Sequence, residues 1–241
     1  MYTYAMRSRQ GDREYNEDFI QMRDCEERVL FALADGLGGC GHGEIASRTA
    51  VSSVISRFSW ENGREGFLER AFQGAQDAVL LKQKLDPETK RMSTTLVLLR
   101  LEEGKAQWGH IGDARLYLFR NGQVEKQTKD HSVPQMLVQM GEISPEEIRH
   151  HPDRSRLLRV IGHPWEEIPY EISDEQELQK GDTWLLCSDG FWEYITEDEM
   201  CMTLQGASDM SDWLLQMEKL VKMHGAGHDM DNYSAICVQI K

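Results

Sequence analysis

Residues 93–128 read STTLVLLRLEEGKAQWGHIGDARLYLFRNGQVEKQT and contain four short apolar runs. Three turns separate the runs: Glu102-Glu103-Gly104, Gly112-Asp113 and Asn121-Gly122. Asn-Gly is the strongest short hairpin signal, because both of its residues accept the positive φ angles of a tight turn. We therefore predict an antiparallel meander with strands at 93–101, 106–111, 114–120 and 123–128.

The rest of the chain adds strands on both sides of this meander and gathers the helices into blocks. Alternating or short apolar runs predict strands at 2–8, 19–24, 28–34, 168–178, 183–188 and 233–240. Apolar residues at helical spacing predict helices at 44–58, 65–84, 133–140 and 210–223. Because strands mostly follow strands, the pattern favours antiparallel sheets covered by helices, an α+β fold, over an alternating α/β fold.

Composition and charge exclude several classes of protein. The 241 residues, 40% of them hydrophobic, suit one domain with a proper core. Lys plus Arg is 27 and Asp plus Glu is 41, so the net charge is −14, which disfavours nucleic-acid and membrane-surface partners. No apolar run approaches the roughly 20 residues of a membrane helix, and five scattered cysteines support neither disulfides nor a zinc cage. We expect a reduced, cytoplasmic monomer.

Acidic residues lie at the ends of several predicted strands. Strand 28–34 leads into Asp35-Gly36, and strand 183–188 leads into Asp189-Gly190. The glycine after each carboxylate lets the chain turn sharply and approach a ligand closely. Comparable acidic positions precede a strand or fill a corner at Glu17-Asp18, Asp113 and Asp231-Asn232.

If these carboxylates converge, they cannot all stay ionised unless cations neutralise them. Oxygen ligands without Cys or His indicate Mg²⁺ or Mn²⁺, not zinc. Two ions that share a carboxylate would lower the pKa of a bridging water and make it a nucleophile at neutral pH. Arg13 lies five residues before Asp18 and supplies the cation that an anionic substrate requires.

The stretch Gly36–Gly41 also matches the dinucleotide-binding pattern G-x-G-x-x-G. Two features argue against that site. Asp35 places a carboxylate where a pyrophosphate would need bare amides, and a second helix follows the first where a βαβ unit needs a strand. We therefore do not expect a dinucleotide.

The order of these motifs resembles that of the metal-dependent protein serine/threonine phosphatases of the 2C type, the PPM family, and especially its short bacterial members. The resemblance runs from about residue 3 to residue 240. Its markers are residues 13–18 (REYNED), 34–39 (ADGLGG), 93–95 (STT), 109–115 (GHIGDAR), 129–132 (KDHS), 188–190 (SDG) and 231–232 (DN). Each marker alone is weak, but the set in this order is highly specific.

The resemblance implies one phosphatase domain over residues 1–241. Its expected fold is a four-layer αββα sandwich of two antiparallel β-sheets flanked by helices, with a flap segment at about 132–165 beside the active site. The implied cofactors are two Mn²⁺ or Mg²⁺ ions, with a weaker third metal found in bacterial members. Carried over to this sequence, Asp35 bridges both metals. Asp189 and Asp231 hold the first metal, and Glu17 and the carbonyl of Gly36 hold the second.

Three further roles follow from the same resemblance. Asp18 is expected to contact a metal through water, and Asp113 is expected to form the third site together with Asp189. Arg13 is expected to bind the substrate phosphate. The residues implied to be catalytic are Arg13, Asp35 and Asp189.

The implied reaction is hydrolysis of phosphoserine and phosphothreonine in signalling proteins, in opposition to a cognate serine/threonine kinase. A metal-bridging hydroxide attacks phosphorus directly, without a covalent intermediate. Two alternatives remain at this point: a metal-dependent hydrolase of small phosphate esters, and a non-catalytic phosphatase-like regulatory module. The net charge of −14 further hints at a preference for phosphopeptides with basic flanks.

Two positions depart from the family pattern. Leu37 stands where some members carry a His that is proposed to protonate the leaving group, and Glu193 stands where the family often has Asp. The histidines are assigned no catalytic role: His131 is expected to make a structural hydrogen bond, and His150-His151 to be a solvated pair. Glycines between His224 and His228 argue against a helical metal site there.

Overall fold

The computed structural model describes residues 1–61 and 65–241, and at residue 40 only the backbone. The strands are β1 (Tyr2–Arg9), β2 (Phe19–Cys25), β3 (Arg28–Ala34), β4 (Leu96–Glu102), β5 (Lys105–Ile111), β6 (Arg115–Arg120), β7 (Gln123–Gln127), β8 (Glu171–Ile172), β9 (Gln176–Glu177), β10 (Thr183–Cys187) and β11 (Tyr233–Ile240). The helices are α1 (Gly43–Trp60), α2 (Phe67–Leu85), α3 (Val133–Met140), α4 (Asp189–Trp192), α5 (Glu197–Gly206) and α6 (Met210–Gly225).

These strands form two antiparallel sheets that pack face to face. One sheet has the order β1-β11-β10-β6-β7, and the other has the order β2-β3-β4-β5-β8, with β9 also paired to β5. The predicted meander is present, although β6 lies in a different sheet from β5. The strands that lead into Asp35 and Asp189, β3 and β10, are both interior strands. Each sheet therefore carries one of the two acidic corners at the end of an interior strand.

Strand β3 shows how three hydrophobic cores divide the molecule. Its residues Val29, Phe31 and Leu33 pack between the sheets. Its residues Leu30, Ala32 and Ala34 face the core formed with α1 and α2. A third core joins the other sheet to α5 and α6. Burial on both faces explains why β3 reads as a continuous apolar run rather than an alternating one, and the predicted four-layer α+β fold is confirmed. No helix in the described ranges combines the length and apolar character needed to cross a bilayer.

The structure differs from the sequence prediction at a few elements. The strand predicted at 93–101 begins only at Leu96, because Thr94 leaves the sheet and bridges Gly36 and Ile161 instead. The strand region 168–178 contains only the two short strands β8 and β9. Helices α4 and α5 were not predicted, although a capping box between Thr196 and Glu199 marks the start of α5.

The segment 132–165, predicted as a flap, holds α3 and a 3₁₀ turn at 145–150. Its ends are tied to the sandwich by main-chain hydrogen bonds. The Leu158 N–H donates to the carbonyl of His131 at 2.8 Å, and Ile161 and Thr94 exchange hydrogen bonds at 2.9 and 3.0 Å. The segment is therefore anchored directly beside the Asp35-Gly36 corner.

Candidate metal and phosphate site

Asp35 and Asp189 meet where the interior strands β3 and β10 end. Burial raises the pKa of Asp189 to about 6, and the nearby charge of Asp231 adds to this increase. The pKa of Asp35 lies well above its usual range, first because of burial and then because of the negative charge of Asp189. Each carboxylate thus raises the pKa of its neighbours, as expected of a cluster without counter-ions.

Asp18 and Asp113 extend the carboxylate cluster below the surface, and both are buried. Asp18 Oδ2 accepts a hydrogen bond from Ser188 Oγ at 2.8 Å, whereas its buried Oδ1 has no hydrogen-bond partner in the described chain. Burial, partly offset by hydroxyl hydrogen bonds, raises the pKa of Asp18 to about 7. The pKa of Asp113 is also raised well above its usual range, by burial and then by the charge of Asp189.

Glu17 lies against two glycines that leave room for its side chain. The Gly43 N–H donates to Glu17 Oε1 at 3.1 Å. A Cβ atom at Gly38 would lie 2.1 Å from Glu17 Oε2, so a side chain there would displace the carboxylate. The Gly36 N–H donates to the Glu17 carbonyl at 3.1 Å. This hydrogen bond places Glu17 beside Gly36, the two residues predicted to hold the second metal. Burial raises the pKa of Glu17.

Hydroxyl and amide side chains fix the backbone around these acids. The Asp35 N–H donates to Thr95 Oγ1 at 3.0 Å, and Thr94 Oγ1 donates to the Asp35 carbonyl at 2.7 Å. Asn232 Oδ1 accepts the Glu17 N–H at 2.7 Å, and Asn232 Nδ2 donates to the carbonyl of Tyr15 at 2.9 Å. The Thr-Thr and Asp-Asn motifs therefore hold the loops that carry the acids.

Arg13 lies at the outer edge of the carboxylate cluster and is already paired with two acids. Its Nε and Nη2 donate to the two oxygens of Asp231 at 3.1 and 3.0 Å. Its Nη1 donates to Asp229 Oδ2 at 3.1 Å. Asp229 was not predicted as a site residue. Its position two residues before Asp231 was nevertheless a signal, because alternate residues of an extended chain face the same side.

Glu193 lies one helical turn from Asp189, whose carbonyl accepts the Glu193 N–H at 2.9 Å. Arg154, in segment 132–165, donates from Nε to Glu193 Oε1 at 2.7 Å. Burial raises the pKa of Glu193 to about 7, and the charge of Asp189 adds to this effect, while Arg154 opposes it. Arg154 was not predicted, and no local pattern marks it.

A second cluster, formed by His110, His131 and Glu171, brings three ligand-type atoms within 4.8 Å of one another. His131 Nδ1 accepts the Gly112 N–H at 3.2 Å, so in the neutral ring the proton lies on Nε2, which faces Glu171 Oε1 at 3.4 Å. The rings of His110 and His131 stack with centroids 4.7 Å apart. A protonated Nε2 has no lone pair for a metal, so the predicted structural role of His131 agrees with its contacts.

The carboxylate cluster has the chemistry of a site for hard divalent cations. It contributes only oxygen ligands, one of them the orphaned Asp18 Oδ1, and Arg13 is the basic side chain hydrogen-bonded to it. Mg²⁺ and Mn²⁺ favour such ligands. The predicted acids thus lie together at one end of the sandwich: Glu17, Asp18, Asp35, Asp113, Asp189 and Asp231.

Comparison with known proteins agrees with this geometry. The family model of protein phosphatase 2C matches residues 7–231. The chain belongs to the protein phosphatase 2C family. A solved catalytic domain of the serine/threonine protein phosphatase PstP, described as a complex with two manganese ions, superimposes with a TM-score of 0.83 at 29% identity and covers 100% of this chain and 99% of its own. The predicted family and fold are confirmed, and the manganese of this neighbour agrees with the predicted cofactor.

Two relatives in this phosphatase family show how the lengths compare. The serine/threonine protein phosphatase PstP of Mycobacterium tuberculosis is 31% identical over 241 residues, which cover 98% of this chain and 45% of that protein. The serine/threonine phosphatase stp of Listeria monocytogenes is 30% identical over 212 residues, covering 83% of this chain and 81% of that protein. The chain therefore spans less than half the length of its mycobacterial relative.

Proposed function

We propose that this protein is a manganese- or magnesium-dependent phosphatase that hydrolyses phosphoserine and phosphothreonine in proteins. The convergence of buried acids with raised pKa values, among them Asp18, Asp35 and Asp189, carries the proposal. Such a cluster disfavours its own ionisation unless cations bind. The names of its relatives supply the substrate class. Residues 1–241 act as one domain, with 132–165 as its flap.

The acids divide between two cation sites in this proposal. Asp35, Asp189 and Asp231 hold one cation, and Asp35, Glu17 and the Gly36 carbonyl hold the other. Bound divalent cations supply Lewis-acid activation of water and neutralise phosphoryl oxygens. The neighbour with two manganese ions supports this number of sites.

Two further acids have supporting roles. Asp18, hydrogen-bonded to Ser188, contacts a cation through water, and its orphaned Oδ1 is available for that purpose. Asp113 and Asp189, whose charge helps to raise the pKa of Asp113, form a third and weaker site. Glu193 lies beside this third site and is held there by Arg154.

Arg13 binds and orients the substrate phosphate. Asp229 and Asp231 hold its guanidinium at the rim of the carboxylate cluster. If Asp231 turns its oxygens to a cation, Asp229 still holds Nη1, and the Nε–Nη2 edge is left for two phosphate oxygens. A guanidinium presents such paired N–H groups in the geometry that phosphate accepts.

Replacing Arg13 with Ala should raise KM for a phosphothreonine peptide by about 10- to 100-fold, because hydrogen bonds to charged groups contribute roughly 1.5–3 kcal/mol. The turnover number kcat should fall much less. Steady-state kinetics with Mn²⁺ measure both constants. Arg23→Ala, at an exposed position on β2, is the matched control. A fall in kcat alone, at unchanged KM, would contradict a phosphate-binding role.

The function itself is tested by phosphate release from a phosphothreonine peptide in the presence of Mn²⁺ or EDTA. Release that requires metal and is lost in Asp189→Asn is the expected result. Turnover of p-nitrophenyl phosphate without turnover of any phosphopeptide would favour a hydrolase of small esters. Metal binding without turnover of either substrate would favour a regulatory module.

Several expectations about the cell remain predictions from the sequence. They are the cytoplasmic location, the monomeric state, a cognate serine/threonine kinase, and the absence of nucleic-acid and membrane partners. An acidic surface with 27 basic and 41 acidic residues supports the last of these. Sedimentation of the purified protein would test the oligomeric state.

A further inference from the structure

A cleft of about 470 Å³ opens beside the carboxylate cluster, between segment 132–165 and the ends of α4 and α6. We call it the histidine cleft. Its walls include Arg149, His150, Arg154, Tyr194, His224 and His228. Clefts of roughly 300–1,000 Å³ are large enough to bind small molecules or side chains. Of these six residues, only Arg154 has a part in the proposed function, where it holds Glu193.

The walls of the histidine cleft carry more side chains with N–H donors than carboxylates, in contrast to the acidic chain as a whole. The protein has 41 acidic residues against 27 basic ones and eight histidines. Three of those histidines and two arginines line the cleft, and its walls include one carboxylate, Glu193. A local excess of N–H donors on an acidic protein points to an anionic ligand, because charges beyond about 10 Å are largely screened in salt solution.

Arg154 offers the strongest unused donors in the histidine cleft. Its Nε is held by Glu193 at 2.7 Å, and its side chain is 40% exposed. Within the described residues, neither of its Nη atoms has a hydrogen-bond partner. Arg149, by contrast, is occupied, because its Nη2 contacts both oxygens of Glu197 at 2.7 and 2.6 Å. A guanidinium oriented at Nε and open at Nη is prepared for an anion.

The histidines add exposed donors around Arg154. His150 is exposed and makes no side-chain hydrogen bond within the described chain. His228 lies beside the ring of Tyr194, with centroids 6.1 Å apart. His224 donates its Nδ1–H to the Tyr194 carbonyl at 2.9 Å, so in the neutral ring Nε2, 3.5 Å from Glu199, is an acceptor and not a donor. The exposed rings of His150 and His228 can each donate an N–H to an anion.

The histidine cleft begins one helical turn from the reacting end of the site. Glu193 follows Asp189 along α4, with a main-chain hydrogen bond of 2.9 Å between them, and a helical turn rises about 5.4 Å. An extended peptide advances about 3.3–3.6 Å per residue. A residue one to three positions from the phosphoresidue therefore reaches the cleft.

We propose that the histidine cleft is a substrate subsite that binds an anionic group one to three residues from the phosphoresidue. This group is the carboxylate of Asp or Glu, or a second phosphoryl group. The inference rests on the proposed function and names the substrates that this site prefers. This preference for an acidic neighbour is opposite to the preference for basic flanks that the net charge suggests. The donors of the cleft lie closer to the bound peptide than the rest of the acidic surface, so we expect them to dominate.

The test compares phosphothreonine peptides that differ at one position. Each of the three positions on either side of the phosphothreonine carries Asp in one peptide and Asn in its partner, and a third set carries a second phosphothreonine. With Mn²⁺ present, kcat/KM for the best Asp peptide should exceed that of its Asn partner about fivefold, the upper end for one exposed ion pair. Preference for Asp identifies a carboxylate, and preference only for the doubly phosphorylated peptide identifies a phosphoryl group.

Variants show whether the histidine cleft causes the preference. Arg154→Gln, and separately the double variant His150→Ala with His228→Ala, should reduce the Asp-to-Asn ratio to below about twofold. The ratio within one variant is independent of its overall rate. Arg156→Gln is the matched control, since Arg156 lies in the same segment, is 68% exposed and is not part of the cleft wall.

Two outcomes overturn the subsite. One is a wild-type enzyme that hydrolyses all peptides at similar rates or favours the Asn peptides over their Asp partners. The other is an Asp preference that survives both cleft variants. Failure of the proposed function is a different result: no peptide and no variant would then release phosphate in a manganese-dependent manner.

Discussion

Asp35→Asn should lower manganese-dependent phosphate release by about 10³-fold or more and, at the same time, stabilise the metal-free protein. Activity falls because Asp35 is the acid proposed to serve both cations, whose Lewis-acid chemistry supplies several kcal/mol. Stability rises because folding must either protonate Asp35 or bury its charge beside Asp18, Asp113 and Asp189, and Asn avoids both costs. A gain of about 1–3 kcal/mol is expected in EDTA from the loss of desolvation and like-charge repulsion.

Two measurements check this result: phosphate release with Mn²⁺, and urea unfolding in EDTA. The hydrogen bonds from Thr94 and Thr95 engage the backbone of Asp35, so Asn retains them. Asp77→Asn, on the exposed face of α2, should change neither quantity. A metal-free Asp35→Asn protein that is less stable than wild type would show that Asp35 is primarily structural.

The metal-free protein should also lose stability as the pH rises from about 6.5 to 8.5. The pKa is raised to about 7 for both Asp18 and Glu193, and well above the usual range for Asp35 and Asp113. In this window the folded state therefore holds protons that the unfolded chain has already released. Stability consequently falls with rising pH through the folded-state pKa values, by an amount on the order of several kcal/mol.

Below about pH 6.5 the slope should flatten, because two buried histidines act in the opposite direction. Burial lowers the pKa of His131 to about 4 and lowers that of His110 as well, so both rings remain neutral in the fold. The unfolded chain then binds more protons than the folded one, and acid destabilises the protein through these groups.

Urea unfolding in EDTA at pH 6.5, 7.5 and 8.5 measures the slope directly. Manganese should remove or reverse it, since cations bind ionised carboxylates and their affinity increases with pH. Asp35→Asn should reduce the slope in EDTA. Stability that rises with pH in EDTA would mean that the acids are stabilised as anions without metal.

The strands and most helices could be predicted from local patterns. The predicted bounds of α3 and β11 match the structure, because a capping Ser132 with Pro134, and an apolar run after Asn232, are signals within a few residues. Thr94 was placed in a strand incorrectly, since its residue type suits a strand and only its contacts with Gly36 and Ile161 draw it out. Helix α5 was missed because its apolar face is short, although the signal at Thr196 was present.

The acids that converge in the fold could be singled out from the sequence because each lies at a strand end within a short motif, as Asp35 and Asp189 do. Their spacing in the fold could not be derived from those motifs. It depends on two sheets packing so that β3 and β10 end together, which requires the completed cores.

The sequence by itself determined the fold class, the family and the set of acids, because periodicity and short motifs act over a few residues. The tertiary structure alone decided which arginine side chains pair with the acidic residues around the site. Arg154 reaches Glu193 across 39 residues, and Arg13 reaches Asp231 across 218. No local pattern encodes such pairs, because they form only when packing brings distant segments together, and the histidine cleft arises from the same packing.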